Sequence, residues 1–262
     1  MITIGIDAGM ETVKVVVLEN KRILAHFTLP IGIRCVASVA FEAVQIAVEK
    51  AKGGRAVATG IGITGSGAEY IPEITDKFNV SLACAKGVEL VSPETRTLIS
   101  IGADSFFVLN CRDGIPSRIA RNDLCAAGTG RYLWKVAQLL QLDLSKMGEM
   151  VEVNGEEVLT VGSICAVFAE TEIISLIHSK KRPEEILAAV YNGVVSRIMP
   201  VIAKVNMKEK VAVIGGVARN TGVVKTMEKR LKTELFVPQN PEIIGALGAA
   251  LLIQDRLKGM GK

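Results

Sequence analysis

The sequence is poor in aromatic residues, in one-sided charge and in long apolar runs. Aromatic residues make up 4% of its 262 positions, and the formal net charge is +4. The excess of lysine and arginine lies in short runs rather than in a basic stripe interleaved with aromatics, which argues against a nucleic-acid-binding surface. No apolar run approaches the length of a membrane span, and the chain begins on a strand-like segment instead of a signal peptide. We therefore expect a cytoplasmic protein that contacts neither nucleic acid nor membrane.

Cysteine is sparse, and its spacing excludes the common cysteine-rich sites. The count of five is odd and no signal peptide accompanies it, so a disulfide framework is not expected. No two cysteines form a C-x-x-C pair, which excludes a zinc ribbon. The chain also lacks G-x-x-x-x-G-K-[ST] and therefore a P-loop. Any metal site must be assembled from cysteines far apart in sequence, in one chain or more, chosen from Cys35, Cys84, Cys111, Cys125 and Cys165.

Hydrophobic residues are plentiful, at 49%, and their spacing predicts both strands and helices. The stretch 2–30 is typical of a strand, a glycine turn, a second strand, a charged hairpin and a third strand. The stretch 95–122 repeats this order. A further buried strand ends at Thr64. Later segments predict a strand at 210–218, a strand with a Pro-rich turn at 233–241, and helices at 36–52 and near 126–141, 166–178, 184–205, 221–231 and 242–258.

The internal repeat predicts an α/β protein built from two similar halves. Each copy gives a small mixed sheet covered by helices. Two such halves facing each other leave a cleft, which the glycine turns at the strand ends would line. The boundary falls near 91–95, and the last helix is expected to pack back on the first half. We therefore expect one domain from 1–92 plus 239–262 and a second from 93–238.

Two glycine turns are candidates for holding a nucleotide. In "GIDAG", Asp7 and Gly9 occupy a strand-to-strand turn and Lys14 lies in the following strand. A carboxylate suits hydrated magnesium and the turn amides suit phosphate, although an ordinary β-turn explains the same residues equally well. In "VIGGVARN", Gly215 and Gly216 would let an adenosine lie directly on the backbone. A simple helix-entry turn is the equal alternative there.

Two of the cysteines each precede a predicted helix, Cys125 in "NDLCAAGTGRYLW" and Cys165 in "GSICAVFAE". A thiol at a helix N-terminus lies at the positive end of the helix dipole, which favours the thiolate that binds metals. For a single cysteine, a small buried side chain at a tight turn is the simpler interpretation, and the Gly-Thr-Gly after Cys125 could equally hold a phosphate. Two thiolates do not complete the four ligands of an iron–sulfur cluster, but a two-fold dimer would supply four. The other three cysteines lie in strand or loop contexts and are interpreted as structural.

Six segments together resemble one protein family. In chain order they are "GIDAG", "ISIGAD", "NDLCAAGTGRYL", "GSICAVFAETEIIS", "VIGGVARN" and "IIGALGAAL". They look like the ATP-dependent activators of 2-hydroxyacyl-CoA dehydratases and benzoyl-CoA reductases, which belong to the actin and sugar-kinase superfamily. The resemblance runs nearly end to end, and the stretches around Cys125 and Cys165 are its most specific part. It implies two actin- or ribonuclease-H-like mixed-sheet subdomains facing a nucleotide cleft.

The resemblance also implies cofactors, partners and site residues. It implies a homodimer with one 4Fe–4S cluster, held by Cys125 and Cys165 of each subunit. Binding and hydrolysis of ATP with Mg²⁺ would drive single low-potential electrons to a partner iron–sulfur reductase or dehydratase, and a donor such as ferredoxin would reduce the cluster again. Carried over by position, the catalytic carboxylates are Asp7 and Asp104. The ATP and ADP contacts fall on Gly9, Thr12, Lys14, Gly102, Gly128, Thr129, Gly130, Gly215, Gly216 and Asn220.

Both phosphate loops depart from the family pattern. Where members have Ser-Thr after the first-loop glycine, this chain has Met10 and Glu11, with Thr12 one position later. The second loop reads Ser-Ile-Gly-Ala-Asp-Ser over 100–105 in place of Asp-Ile-Gly-Gly-Gln-Asp, so one carboxylate stands a residue early, at Asp104. We therefore expect slow hydrolysis. Two alternatives stay open: an iron–sulfur subunit that binds nucleotide without hydrolysing it, and a small-molecule kinase of the same superfamily.

Overall fold

The chain forms two compact units in the computed structural model. The structure describes residues 1–52, 58–74, 76–122, 130–151, 161 and 166–260, of which 52, 166–169 and 260 are described without their side chains. The first unit comprises Met1–Arg96, Cys111–Ser117 and Glu242–Lys262. The second comprises Thr97–Asn110 and Arg118–Pro241. The chain leaves the first unit and returns to it twice, so neither unit is one continuous segment.

The first unit is a mixed sheet covered by helices. Its elements, numbered in chain order over the whole protein, are β1 Ile2–Ala8, β2 Thr12–Glu19, β3 Arg22–Pro30, α1 Val36–Lys52, β4 Gly60–Thr64, α2 Val80–Val91 and α7 Ile244–Met260. The sheet order is β3-β2-β1-β4, with β1 antiparallel to β2 and parallel to β4. Because side chains alternate along a strand, Ile4 and Ile6 of β1 both enter the core shared with α1.

Glycines let α7 approach β1 and α2 at backbone distance. A Cβ atom added to Gly5 of β1 would lie 1.9 Å from the carbonyl oxygen of Ala246. A Cβ added to Gly248 of α7 would lie 1.6 Å from the carbonyl oxygen of Ala83 in α2. Real Cβ atoms do not approach backbone this closely, so direct backbone packing holds α7 in place.

The second unit is built on a five-stranded mixed sheet, and the end of one of its hairpins, Cys111–Ser117, is the segment counted with the first unit. Its strands are β5 Thr97–Ile101, β6 Phe106–Arg112, β7 Ile115–Arg121, β8 Val211–Ile214 and β9 Leu235–Phe236, in the order β7-β6-β5-β8-β9. β5 runs antiparallel to β6 and parallel to β8. Ile99 and Ile101 of β5 enter the core of this unit together with about half of the residues of the helix Pro183–Val205. The helices are α3 Gly130–Leu140, α4 Ala166–His178, α5 Pro183–Val205 and α6 Thr221–Leu231.

The fold predicted from the sequence is confirmed as α/β with two mixed sheets, each opening with three antiparallel strands. The two hairpins have the same physical basis. Asn20 and Lys21 join β2 to β3 with φ of 48° and 69°, and Asp113 and Gly114 join β6 to β7 with φ of 51° and 72°. Two consecutive positive φ values match the right-handed twist of the flanking strands in a two-residue loop.

One helix was absent from the sequence prediction. The pattern between the strand ending at Thr64 and the strand at 97 predicts no helix, whereas the structure places α2 there. Small residues such as Ala83 and Gly87 dominate its buried face, so its apolar periodicity is weak. The signal that marks it is Asn79, whose Oδ1 accepts the N–H of Ser81 at 2.9 Å as a helix N-cap.

The helix α5 departs from another expectation. Its 23 residues are long and apolar enough to cross a membrane by length and composition, although the sequence predicted no run of that length. Most of α5 is buried in the core of the second unit, from Ile186 near its start to Val205 at its end. Its apolar character is therefore accounted for by packing inside the protein.

Candidate functional site

The first glycine loop joins β1 to β2 in the first unit. Asp7 lies opposite Lys14 in the antiparallel ladder, and Lys14 Nζ stands 3.5 Å from Asp7 Oδ2. Both side chains are less than one-fifth exposed, at 18% and 16%. Gly9 donates its N–H to the carbonyl of Thr12 at 3.1 Å and closes the turn. The loop thus combines a carboxylate, which suits magnesium, with an ammonium group, which suits phosphate.

Two further glycines enclose the carboxylate of Asp7. A Cβ atom at Gly65, which follows β4 and has a φ of +96°, would lie 2.6 Å from Asp7 Oδ1. A Cβ atom at Gly245, in the first turn of α7, would lie 3.2 Å from Asp7 Oδ2. No sequence pattern links these two positions to Asp7, because only the fold brings β4 and α7 to the end of β1. Gly245 belongs to "IIGALGAAL", one of the segments that carry the family resemblance.

The second glycine loop follows β5 in the second unit. Gly102 donates its N–H to the carbonyl of Ser105 at 2.9 Å, which closes a tight turn around Asp104. The carboxylate of Asp104 is paired with Arg131 of α3: Arg131 Nε lies 2.8 Å from Oδ1, and Nη2 lies 3.3 Å from Oδ2. The predicted catalytic carboxylate therefore has a guanidinium partner, which the sequence analysis did not identify.

The same loop receives the first backbone donors of α3. Gly130 donates its N–H to the carbonyl of Gly102 at 2.8 Å, and Arg131 donates its N–H to the carbonyl of Ala103 at 2.9 Å. The first N–H groups of a helix have no partner within the helix, and the loop supplies one here. Because the amide of Gly130 is engaged by the loop, its contact with a nucleotide remains a prediction. Gly128 and Thr129 lie outside the described residues.

The two adjacent glycines after β8 have different surroundings. Gly215 has a φ of +90°, and a Cβ atom there would lie 2.3 Å from the carbonyl oxygen of Ile101. This position requires glycine to preserve the fold. Gly216 is exposed, and nothing lies within 4 Å of the position that its Cβ would take. Open space above Gly216 is what the predicted adenosine contact requires.

Asn220 has a structural role in the same turn. Its Oδ1 accepts the N–H of Val223 at 3.1 Å and caps α6, and its Nδ2 donates to the hydroxyl of Tyr191 at 3.4 Å. Burial raises the pKa of Tyr191 to about 12, so this hydroxyl stays neutral at physiological pH. Asn220 therefore fixes the start of α6 beside Gly216, and its predicted contact with the nucleotide stays a prediction.

The predicted cluster ligands Cys125 and Cys165 lie outside the described residues. Of the cysteines that are described, Cys84 and Cys111 are buried, and burial raises the pKa of the Cys111 thiol to about 11. A buried thiol of that pKa is a poor source of thiolate for a metal. Cys35 is exposed. Backbone hydrogen bonds lower the pKa of its thiol, and the bond from Ser38 has the largest effect. In the part of the chain that the structure describes, no three His, Cys, Asp or Glu side chains are grouped to hold a metal ion.

Comparison with known proteins identifies the family. Residues 4–252 match the family described as the BadF/BadG/BcrA/BcrD ATPase family. This chain belongs to that family. The resemblance found in the sequence segments is thereby confirmed, and it spans both units.

Members of this ATPase family resemble the chain over nearly its whole length. It is 34% identical to the 2-hydroxyisocaproyl-CoA dehydratase activator of Clostridioides difficile, covering 98% of this chain and 97% of that protein. It is 32% identical to the (R)-2-hydroxyglutaryl-CoA dehydratase activating ATPase of Acidaminococcus fermentans, with 95% of each covered. A solved structure of the Clostridium difficile activator with bound ADPNP superposes with a TM-score of 0.91 at 32% identity, covering 100% of this chain and 97% of the other. The actin and sugar-kinase fold predicted for the chain is confirmed.

Proposed function

We propose that this protein is an ATP-dependent iron–sulfur activator that delivers single low-potential electrons to a partner reductase or dehydratase. The observation that carries the proposal is the similarity to dehydratase activators over nearly the whole chain, and the hydrogen bond of 2.8 Å from Gly130 to Gly102 adds a physical link between the second glycine loop and the start of α3. In the sequence, α3 follows Cys125 by a few residues. The activator relatives support the same function.

ATP or ADP binds through the glycine turns of two ATPase subdomains, for which the sequence predicts the limits 1–92 plus 239–262 and 93–238. In the first unit, Lys14 pairs with a phosphate group, and the backbone from Gly9 to Thr12 forms the turn around this phosphate. In the second unit, Gly102 forms the corresponding turn, and the adenosine lies over the open backbone at Gly216. The open space at Gly216 supports the adenosine assignment. The ammonium group of Lys14, 3.5 Å from Asp7, supports the phosphate assignment.

Magnesium is expected to be held by carboxylate oxygens. Asp7 and Asp104 are the candidates, since Mg²⁺ prefers oxygen ligands and keeps several waters. The donors fit this chemistry: glycines at 65 and 245 leave beside the Asp7 carboxylate the space that a side chain would fill, and Asp104 is partly exposed, although each carboxylate is also paired with a cation. Because Glu11 stands where family members carry a hydroxyl, the negative charge near the phosphates is higher than usual and hydrolysis without a partner is slow.

A 4Fe–4S cluster would supply the low-potential electron, and Cys125 and Cys165 of two chains would hold it. Two of the other cysteines, Cys84 and Cys111, are buried, and burial raises the pKa of the Cys111 thiol, which makes it a poor source of thiolate. One chain offers two ligands, so four come from a homodimer. The helices α3 and α4 begin shortly after the two cysteines in the sequence, and the positive N-terminal end of each would favour the negative charge of a cluster.

The protein works in the cytoplasm with a partner iron–sulfur reductase or dehydratase and a low-potential donor such as ferredoxin. Gly102, Gly130 and Arg131 form the physical connection between the phosphates and the cluster side of α3. A change at the terminal phosphate moves the loop, and the loop moves the helix start to which it is bonded.

Anaerobic purification tests the proposal. The iron content, the visible spectrum and ATP hydrolysis are measured on the same preparation. A brown homodimer with about four irons that binds ATP supports the activator. An iron-free, colourless protein that transfers the γ-phosphoryl group to a small molecule would instead identify a kinase and overturn the proposal.

A further inference from the structure

The second loop bounds the segment around Cys125 at both of its ends. On the near side, the N–H of Phe106 donates to Asn122 Oδ1 at 2.8 Å, and the N–H of Asn122 donates to the carbonyl of Phe106 at 3.2 Å. On the far side, Gly130 donates to Gly102 at 2.8 Å. The residues that precede and follow 123–129 are therefore both bonded to the turn from Gly102 to Phe106. A displacement of this turn acts on both ends of that segment.

Arg131 adds a contact of a different kind. Its backbone N–H is bonded to Ala103, as described above, while its guanidinium group pairs with Asp104 through two nitrogen–oxygen contacts of 2.8 and 3.3 Å. The side chain of Arg131 is 52% exposed and that of Asp104 is 27% exposed. Ion pairs with this degree of exposure contribute little stability and are readily exchanged. The backbone bonds are thus the permanent part of the connection, and the ion pair is the part that can be replaced.

The position of Arg131 gives this ion pair a consequence for α3. A positive charge in the first turn of a helix is unfavourable, because it lies beside the positive end of the helix dipole. Asp104 offsets that charge by standing next to it. Removing Asp104 from the guanidinium group therefore weakens the start of α3 and its attachment to the loop.

We propose that Arg131 is a positioning residue that couples nucleotide binding to α3, and that it does so by competing with Mg²⁺ for Asp104. The inference rests on the proposed function, in which Asp104 lies on the magnesium–nucleotide side of the loop. A doubly charged ion that takes the oxygens of Asp104 leaves the guanidinium group without this carboxylate. In the absence of nucleotide, Asp104 offsets the charge of Arg131 at the start of α3; the magnesium nucleotide removes this offset, while the backbone bonds keep α3 attached to the loop.

The chain contains its own reporter for this change. Trp134 is the one tryptophan in the sequence, and it lies on α3 three residues after Arg131 with 54% of its surface exposed. A change in the start of α3 alters the environment of its indole, and the fluorescence of the protein reports it without any added label. Lys135 provides a matched control, because it is a neighbouring cation on the same helix that pairs with Glu170 instead of the loop.

The experiment compares wild type, Arg131→Gln, Arg131→Lys and Lys135→Gln as intact protein. ADP or ATP affinity is measured by calorimetry over a magnesium series, and Trp134 fluorescence is recorded in the same titrations. Arg131→Gln should lower the Mg²⁺ concentration for half-maximal nucleotide binding about two- to fivefold, the factor that an exposed ion pair supplies. It should also lose most of the nucleotide-induced fluorescence change. Arg131→Lys should restore part of both, and Lys135→Gln should behave as wild type.

Three outcomes would overturn the coupling. One is Arg131→Gln with an unchanged magnesium midpoint and a full Trp134 response. Another is Lys135→Gln showing the same loss as Arg131→Gln. The third is wild-type protein that binds nucleotide with no change in Trp134 fluorescence, which removes the coupling while leaving the proposed function intact. Wild-type protein that binds neither ATP nor ADP at any magnesium concentration would overturn the proposed function as well.

Discussion

Adjacent residues of the same type can have opposite constraints, as Gly215 and Gly216 show. The fold requires the first to be glycine, because its φ is positive and a Cβ atom would lie 2.3 Å from Ile101 oxygen. The space above the second is open. A side chain added at Gly216 therefore has room in the nucleotide-free protein and acts through a ligand, whereas one added at Gly215 acts on the fold.

The first prediction follows from that contrast. Gly216→Val should weaken ADP and ATP alike, by about 1–3 kcal/mol, because the branched side chain occupies the space assigned to adenosine. Its melting temperature should stay near that of wild type. Gly215→Ala, as the control, should lower the melting temperature. Calorimetric titration and thermal unfolding give the two measurements, and a Gly216→Val protein that loses affinity for ATP alone would place this residue near the γ-phosphate instead.

The charges of the two loops carry the second prediction. Glu11 is exposed at the tip of the first loop, between Gly9 and Thr12. Two like charges about 4 Å apart repel by roughly 4 kcal/mol at an effective dielectric constant near 20. Glu11→Ser should therefore raise the affinity for nucleotide measured without magnesium.

Asp104→Ala, in the second loop, should lower the magnesium-dependent affinity for nucleotide and the rate of ATP turnover. Rapid ATP hydrolysis without a partner, at a rate that Asp104→Ala does not change, would contradict this assignment.

At the scale of elements, small residues decide how α7 and α2 pack. Gly248 faces the backbone of Ala83, with no space for a side chain, whereas Gly259 near the other end of α7 has nothing within 4 Å of its Cβ position. Gly248→Ala should destabilise the protein by about 1–3 kcal/mol through overpacking. Gly259→Ala should leave stability unchanged or raise it by up to about 1 kcal/mol, because alanine is the better helix former. Thermal unfolding of the pair tests this, and equal melting temperatures would refute the packing described for α2 and α7.

The elements that the sequence predicted well are those with local causes. β1, β2 and the hairpin at Asn20 follow from alternation and turn residues, and α4 and α6 begin and end where their periodic patterns do. The helix α2 escaped prediction because its burial depends on a glycine of the distant α7 rather than on an apolar stripe of its own.

The sequence predicts which types of residue the candidate site contains, but it predicts only some of the pairs that these residues form. Asp7 and Lys14 could be paired from sequence, since they are near neighbours across one turn. The pairing of Asp104 with Arg131 spans 27 positions and arises from the way α3 begins on the second loop. No periodicity or motif spacing encodes that contact.

At the scale of the molecule, each unit carries a glycine loop in which a carboxylate is paired with a cation of the same unit. Asp7 pairs with Lys14 in the first unit, and Asp104 pairs with Arg131 in the second. The family match extends over residues 4–252 and therefore includes both loops and both predicted cluster cysteines.

The iron content of anaerobically reconstituted cysteine variants shows which residues hold the proposed cluster. We expect about four irons per homodimer in wild type and in Cys35→Ser, Cys84→Ser and Cys111→Ser. Cys125→Ser and Cys165→Ser should each lose the cluster, because either change removes two of the four ligands of the dimer. Wild-type protein without iron, or a full complement of four irons in either Cys125→Ser or Cys165→Ser, would contradict the assignment of the cluster to these two cysteines.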